Sequence, residues 1–402
     1  MKKGWQTKTL GEVLEKTETI NPLQSPNVEF DYIDVSSVSN TTFEIEETQR
    51  LKGKDAPSRA RKLVRTDDII FATIRPTLQR IAIVPEHLDK QVCSTGYFVL
   101  RPKPGMDHRF VYYSLFTEDF TGQMESLQKG ASYPAVTDGD VRAQKIPVPP
   151  LAEQQRIVGL LDEAFEGLAT AKANAEKNLQ NARALFESHL QSVFTQRGPG
   201  WVEKPFSELC DIKHGYAFEG EFFSNEGEYV LLTPGNFYER GGYRDRGEKQ
   251  KYYTGEIPRD YVLNEGDLLV AMTEQAAGLL GSPILVPESD KFLHNQRLGL
   301  VTKKPGAAWT NEFFFHVFNT QPVRKAIHAS ASGVKVRHTT PTKIGEVVVA
   351  FPTSLPAQKR IVTTLASLSE ETQRLARLYE RKHAALEALK KSLLHQAFSG
   401  EL

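Results

Sequence analysis

Pro149-Pro150-Leu151-Ala152-Glu153-Gln154-Gln155-Arg156-Ile157-Val158 opens a stretch that runs to Phe194 without a further proline. Within it Ile157, Leu161, Ala164, Leu168, Ala171 and Ala175 recur at alternating steps of four and three. That is a 3.5-residue repeat, so one seam of a long helix must be covered by another helix. About 44 helical residues span about 65 Å at about 1.5 Å per residue. No ordinary globular core needs an element of that length, and the stretch reads as a spacer.

The same stretch recurs. Leu355-Pro356-Ala357-Gln358-Lys359-Arg360-Ile361-Val362 repeats Leu151 to Val158, and Ala388-Leu389, Ser392, Leu394 and Phe398 repeat Ala184-Leu185, Ser188, Leu190 and Phe194. Every pair lies 204 residues apart, as from Arg156 to Arg360. The two helices therefore keep equal length. A molecular ruler requires this, but so does any duplicated coiled coil, because an insertion breaks the heptad phase. Ala164, Ala171 and Ala175 correspond to Leu368, Leu375 and Tyr379, so one seam is small where the other is large; if the helices pack antiparallel with Ile157 near Ala397, Ala175 falls opposite Tyr379. The alternative is that each helix pairs with a copy of itself.

The segments between the helices repeat too, with more divergence. Gly4-Trp5 returns as Gly200-Trp201, Asp67-Asp68-Ile69-Ile70-Phe71-Ala72 as Gly266-Asp267-Leu268-Leu269-Val270-Ala271, and Lys103-Pro104-Gly105 as Lys304-Pro305-Gly306. In the first copy Leu10, Val13 and Leu14 form a short helical face. Tyr32–Val35, Asp67–Ala72, Arg80–Pro85 and Tyr97–Pro102 read as strands, Phe110–Phe116 as a buried helix and Gly130–Pro134 as a loop. The expected organisation is α+β: a globular α/β domain over 1–150, a long helix over 151–196, a second such domain over 197–355 and a second long helix over 356–402, the helices forming an antiparallel coiled coil. One scaffold carrying two different loop sets suggests two different targets read at a fixed separation.

Length and composition set the bounds. The 402 residues exceed one ordinary core. Cys93 and Cys210, the two cysteines, fall in separate halves and give no disulfide framework. Met1-Lys2-Lys3 leads into polar sequence, no apolar run reaches membrane-spanning length, and a cytoplasmic location is expected. There are 50 basic and 50 acidic residues, and neither globular segment is basic overall: 1–150 carries 20 of each sign and 197–355 carries 18 basic and 19 acidic. Any nucleic-acid contact must therefore be local. Phosphate-loop, dinucleotide, C-x-x-C, H-E-x-x-H and G-x-S-x-G signatures are absent, and so is an Asn-Pro-Pro-aromatic or Asp-Pro-Pro-aromatic adenine-methylation run. Neither a catalytic residue nor a metal site is indicated, which favours a recognition or assembly protein.

Basic residues gather in four places. Arg59, Arg61 and Lys62 lie in one run, and Arg75 and Arg80 flank Pro76-Thr77-Leu78-Gln79. Arg240, Tyr243 and Arg244 lie in a Gly-rich segment of the second half, and Lys335, Arg337, His338 and Thr339 in a later one. Arg and Gln are the usual readers of guanine and adenine edges, while Lys, Ser and Thr hold phosphates. A charge run is more often a solvated face than a binding site, so position carries the argument. Arg75 and Gln275 both follow the matched strands. Lys129, Ser132 and Tyr133 occupy the loop that corresponds to Lys335, Arg337 and His338. His338 is read as a contact or solvated residue, not a metal ligand.

With these features in place, the chain resembles the specificity subunit of type I restriction-modification systems. The resemblance extends over essentially the whole chain. It rests on two domains each followed by a long helix, on Pro150 to Val158, on Tyr97-Phe98-Val99-Leu100-Arg101-Pro102 and on Gln396-Ala397-Phe398-Ser399-Gly400-Glu401-Leu402. Pro356-Ala357-Gln358-Lys359 departs from the Ala-Glu-Gln-Gln form. The resemblance implies that each domain reads one half of a split, asymmetric double-stranded DNA sequence and that the helices fix the gap. It implies that two methyltransferase subunits supply S-adenosylmethionine and the adenine chemistry, and that two motor-nuclease subunits, where present, use ATP with Mg. The chain itself would hold no cofactor and catalyse nothing. Gln154, Gln155, Arg156, Gln358 and Arg360 are the expected partner-binding residues. The competing reading is a coiled-coil scaffold joining protein partners without touching DNA, which the neutral net charge favours.

Overall fold

The computed structural model describes residues 4–275 and 278–402. The chain divides into two compact units, Met1–Lys177 with Glu380–Leu402, and Asn178–Tyr379. The boundary falls within the long helices, which run over Leu151–Gln196 and Leu355–Ser399. Each unit thus holds one globular part and portions of both helices.

In the first unit the core is a three-stranded antiparallel sheet in which Ile69–Ala72 lies between Ile81–Ile83 and Tyr97–Leu100. All four residues of the central strand are buried, as a strand covered on both faces requires. A second sheet holds Gln49–Lys52, Glu29–Ile33, Val92–Ser94 and Ala60–Leu63 in that order, with Glu29–Ile33 and Val92–Ser94 parallel. The strand expected over Tyr32–Val35 therefore lies earlier, because Asp34 caps a 3-10 turn at Val35–Ser37 and ends the ladder. The expected buried helix spans His108–Ser114, capped by Asp107, which accepts from the N–H groups of Arg109 and Phe110. Gln6–Thr9 pairs with Lys145–Val148 and ties the first strand to the entrance of the long helix.

The second unit repeats this plan. Leu268–Ala271 lies between Pro283–Leu285 and Leu298–Lys303, with Cys210–His214 added at the far edge. Tyr229–Leu231 pairs parallel with Phe292–Leu293, and Trp201–Pro205 pairs with Val348–Pro352 before the second long helix. The core is more aromatic here: Phe206 stacks on Phe318 and Trp309 on Phe314. Cys93 and Cys210 are buried free thiols, each pushed up to about 12 by desolvation.

The helices pack antiparallel. In the first unit Ile157, Val158 and Leu161 from the start of one helix share a buried cluster with Leu394 and Ala397 from the end of the other, together with Trp5, Phe110 and Tyr113. Lys172 Nζ meets Glu387 Oε1 at 2.8 Å, and Glu176 Oε1 meets His383 Nε2 at 3.3 Å, so the helix numbers run in opposite directions. In the second unit Phe194 and Ile361 pack on one core. Ile157 and Ala397, expected near each other, belong to this one cluster, and every seam position from Ile157 to Ala175 is buried or half-buried.

Candidate nucleic-acid interface

Each unit displays one hairpin beside the exit of its central strand, and the two hairpins are built alike. In the first unit Lys129 and Ala135 exchange backbone hydrogen bonds of 2.9 Å, and the Val136 N–H donates to the Thr73 carbonyl at 3.0 Å. In the second unit Ser332 and His338 exchange bonds of 3.0 and 2.8 Å, and the Thr339 N–H donates to the Met272 carbonyl at 3.0 Å. A left-handed glycine turns each hairpin, Gly130 at φ +104° and Gly333 at φ +101°. A Cβ on Gly333 would lie 2.0 Å from the Val336 carbonyl oxygen, so this turn accepts only glycine. The loops singled out by position are therefore brought together in each unit. Arg75 and Gln275 both follow the central strand of their unit, and at this register Arg75 corresponds to Glu274, which faces Arg337 across the ladder, and Gln275 to Pro76.

In the first unit Arg75 is exposed in a left-handed conformation, φ 50°, with its guanidinium 5.2 Å from the Tyr133 ring centroid and 3.4 Å from the Ser132 carbonyl. Tyr133 is 72% exposed, and Lys129 and Ser132 are exposed beside it. Arg59 is exposed one strand away: its carbonyl accepts from Thr95 N–H, and the next residue, Gly96, accepts from Thr73. Arg75, Lys129, Ser132 and Tyr133 thus form a cation-aromatic cluster able to meet a phosphate, a base edge or a base face.

In the second unit Gln275, Lys335 and His338 are exposed around the equivalent hairpin, and Val334 at its tip is 99% exposed. Arg240 and Arg244 are exposed on a neighbouring segment, fixed by the Gly242 N–H donating to the Pro283 carbonyl at 2.9 Å and by Ser282 Oγ donating to the Tyr238 carbonyl at 2.6 Å. With Gly235, Phe237 and Leu279 they line a cleft of about 530 Å³. Tyr238, 53% exposed and 5.9 Å from the Arg244 guanidinium, joins this surface in place of Tyr243, the aromatic of the same segment selected from the sequence.

Other expected contact residues are committed to the fold. Lys62 Nζ donates to the Tyr97 carbonyl at 2.6 Å and to Asp138 at 2.8 Å. Arg61 is half-buried and donates to the Ala60 carbonyl at 2.8 Å. The Arg80 guanidinium donates to the carbonyls of Ser36 and Val38 and braces that loop. Tyr243 is half-buried edge-on to Phe292, centroids 5.3 Å apart, and desolvation pushes its hydroxyl up to about 12. Thr339 is buried. Arg337 turns inward, its Nη2 donating to the His328 carbonyl at 2.6 Å and its Nη1 lying 3.7 Å from Glu274 Oε1.

The expected partner residues divide as well. Gln154 and Gln358 are 1% and 0% exposed. Gln154 Oε1 accepts from the Asp107 N–H at 2.9 Å, and Gln358 Oε1 from the Thr310 N–H at 3.1 Å. These two side chains dock each helix on its own globular part. Gln155 and Arg360 are exposed, and Arg156 is exposed while paired with Glu153 and the Leu402 carbonyl at 2.8 Å. Among the described residues no group of three metal-ligating side chains gathers, and no helix is long and apolar enough to cross a membrane.

Comparison with known proteins agrees with this architecture. A curated relative, the type I restriction enzyme HindI specificity subunit of Haemophilus influenzae, is 27% identical over 46% of this chain and 40% of its own length. The EcoBI specificity subunit of Escherichia coli is 24% identical over 58% of this chain and 44% of its own length. The chain thus aligns with less than half the length of these two relatives. The MjaVIII specificity subunit of Methanocaldococcus jannaschii is 22% identical over 74% of this chain and 71% of its own length. Among solved structures, the HsdS subunit from Thermoanaerobacter tengcongensis matches with TM-score 0.71 at 28% identity, covering 100% of this chain and 98% of that one. A chain solved in work on complex assembly and conformational transition of the type I R-M system matches with TM-score 0.84 at 28% identity, over 100% of this chain and 99% of that one. The type I restriction modification DNA specificity domain matches residues 2–179 and again 199–380, one match for each copy of the internal repeat, and the chain belongs to that family.

Proposed function

We propose that this chain is the DNA-recognition subunit of a type I restriction-modification complex, reading one half of a split, asymmetric duplex sequence with each unit. The observation that carries the reading is the matched pair of hairpins. The same backbone ladder presents Arg75, Lys129, Ser132 and Tyr133 in one unit and Gln275, Lys335 and His338 in the other. A common frame with different polar side chains is the arrangement two different half-sites call for. Tyr133 and the Val334 tip supply flat or apolar surface for bases, and the cations supply phosphate contacts that position the duplex.

The long helices set the gap between the half-sites. Half-sites one helical turn apart lie about 34–36 Å from each other, a distance that a spacer of about 65 Å can bridge. The chain catalyses nothing. Two methyltransferase subunits bind S-adenosylmethionine and modify adenine, and motor-nuclease subunits use ATP with Mg to cut unmodified DNA. Support for two like partners comes from surfaces that occur twice: exposed Leu151 and Leu355 lie 204 residues apart, as do exposed Leu185 and Leu389, and exposed Gln155, Arg156 and Arg360 lie beside the first pair. The expected location is the cytoplasm, where the DNA and these partners are.

The test is selection from random duplex DNA with the chain in complex with its methyltransferase. A split motif with a fixed gap is the expected result. An intact complex that enriches no motif would overturn the reading in favour of a protein scaffold.

A further inference from the structure

The ladder position that carries exposed Arg75 in the first unit carries Glu274 in the second, where the carboxylate is turned inward and its side chain is 1% exposed. Glu274 Oε2 accepts from the backbone N–H groups of Gly278 and Leu280, both at 3.0 Å. Its Oε1 faces His328 Nδ1 at 3.5 Å and Arg337 Nη1 at 3.7 Å. Arg337 in turn donates to the His328 carbonyl. A second inward guanidinium, Arg324, donates to the carbonyls of Gly278 and, at 3.3 Å, of Glu239. Desolvation draws Arg324 down to about 10 and lowers His328.

Such a cluster is a poor source of stability, because desolvating its charges offsets much of their attraction. Its geometric effect is specific. One carboxylate anchors Gly278 and Leu280 through two N–H groups and faces the hairpin's Arg337 as an ion pair. Arg324 extends the tie to Glu239, next to Arg240. These are the segments that carry the second unit's exposed polar residues. In the first unit the equivalent side chain, Arg75, is exposed and meets the hairpin from outside, at the Ser132 carbonyl and the Tyr133 ring.

We propose that Glu274 is a positioning residue for sequence reading by the second unit, holding its exposed loops in one register while touching no DNA itself. The proposal rests on the function proposed above and deepens it. Glu274→Gln keeps the shape of the side chain. Its amide cannot serve both sides: an oxygen toward Gly278 and Leu280 puts an NH2 against Arg337, and the reverse puts an NH2 against two N–H donors.

The experiment is selection from random duplex DNA by the assembled complex, scored separately for each half-site, with thermal melting of each variant alongside. The expected result for Glu274→Gln is a loss of about tenfold in base discrimination in one half-site, with the other half-site and the gap unchanged. A merely structural defect would instead lower recovery of both half-sites in step with the folded fraction. That outcome, or an unchanged motif from folded protein, overturns the proposal. If Glu274→Gln does not fold, Arg337→Gln, at a side chain 37% exposed, removes the hairpin tie alone and carries the same two outcomes. A wild-type complex that enriches no split motif fails at the earlier step: it overturns the functional reading, and this proposal with it.

Discussion

Gln154 and Gln358 lie 204 residues apart and share two kinds of bond. Each amide nitrogen donates to the carbonyl of a proline in the lead-in to its helix, Pro149 at 2.8 Å and Pro352 at 3.0 Å. Each amide oxygen accepts from the N-cap residue of a buried helix, Asp107 or Thr310. Glutamine suits this place because it offers donor and acceptor at once at the end of an uncharged arm.

Removing either amide leaves a buried N–H and a buried carbonyl without that partner, which costs about 1–3 kcal/mol. Gln154→Ala should therefore lower the melting temperature of the first unit and Gln358→Ala that of the second, measured by calorimetry on the full chain. Affinity of the folded variants for a methyltransferase should stay unchanged. A drop in affinity without a drop in stability would show that these side chains reach the partner after all.

Arg75 and Lys129 should differ in kind. If the guanidinium beside Tyr133 reads a base, Arg75→Ala costs about 1–3 kcal/mol and relaxes preference at one position. Lys129→Ala should weaken all sequences alike and reduce the salt dependence of binding. Titrating matched and mismatched duplexes at several salt concentrations separates the two. An Arg75→Ala complex with unchanged affinity and unchanged sequence preference would remove Arg75 from the reading surface.

Much of this was legible in the sequence because duplication was legible. The unbroken run from Leu151, the 204-residue offset and the seam from Ile157 to Ala175 point to two helices of matching length, 46 and 45 residues in the structure, and size complementarity points to their antiparallel pairing. The loops near the matched strands were likewise found by position. What could not be read is which way a long polar side chain turns. Lys62, Arg80 and Arg337 sit in basic runs, but each bends back to a backbone carbonyl supplied by a residue distant in sequence or across a hairpin. Arg75 and Gln275 both follow the matched strands, but the exact counterpart of Arg75 is not readable from position. Only the ladder shows that the strand offset, Phe71 to Val270, continues through the exit and sets Arg75 against Glu274.

His294 gives the second unit an acid sensitivity. It is fully buried, its Nε2 lies 3.0 Å from the Leu298 carbonyl, and its Nδ1 has no protein hydrogen-bond partner. Bonding to a carbonyl requires the Nε2–H tautomer, so protonation would place a second N–H at Nδ1 facing no acceptor. Desolvation, the largest cause, draws this histidine down to about 4. Its ordinary value is about 6.5, so between those pH values the unfolded chain binds the proton and the folded chain does not. Stability from this group is complete above pH about 6.5 and is lost as pH falls toward 4. Melting the protein at pH 7 and pH 5 should show a drop that His294→Gln reduces. An equal drop in wild type and variant would assign the effect elsewhere.

The ruler gives the most direct geometric prediction. A seven-residue insertion in one helix alone would shift the seam of that helix against its partner and break the Lys172–Glu387 register. Inserting one heptad in both helices, at positions facing each other, keeps the seam in phase. It lengthens the pair by about 10 Å. At about 3.4 Å per base pair, the preferred gap between half-sites should grow by about three base pairs, with both half-sites unchanged. The added three base pairs also rotate one half-site by most of a third of a turn, so the affinity for the new site should be lower than for the original even as the gap shifts. Selection from random duplex DNA reads both quantities together. A motif with its old gap would mean that the helices join the reading units without setting their distance, and the spacing would then have to be fixed by the bound partners.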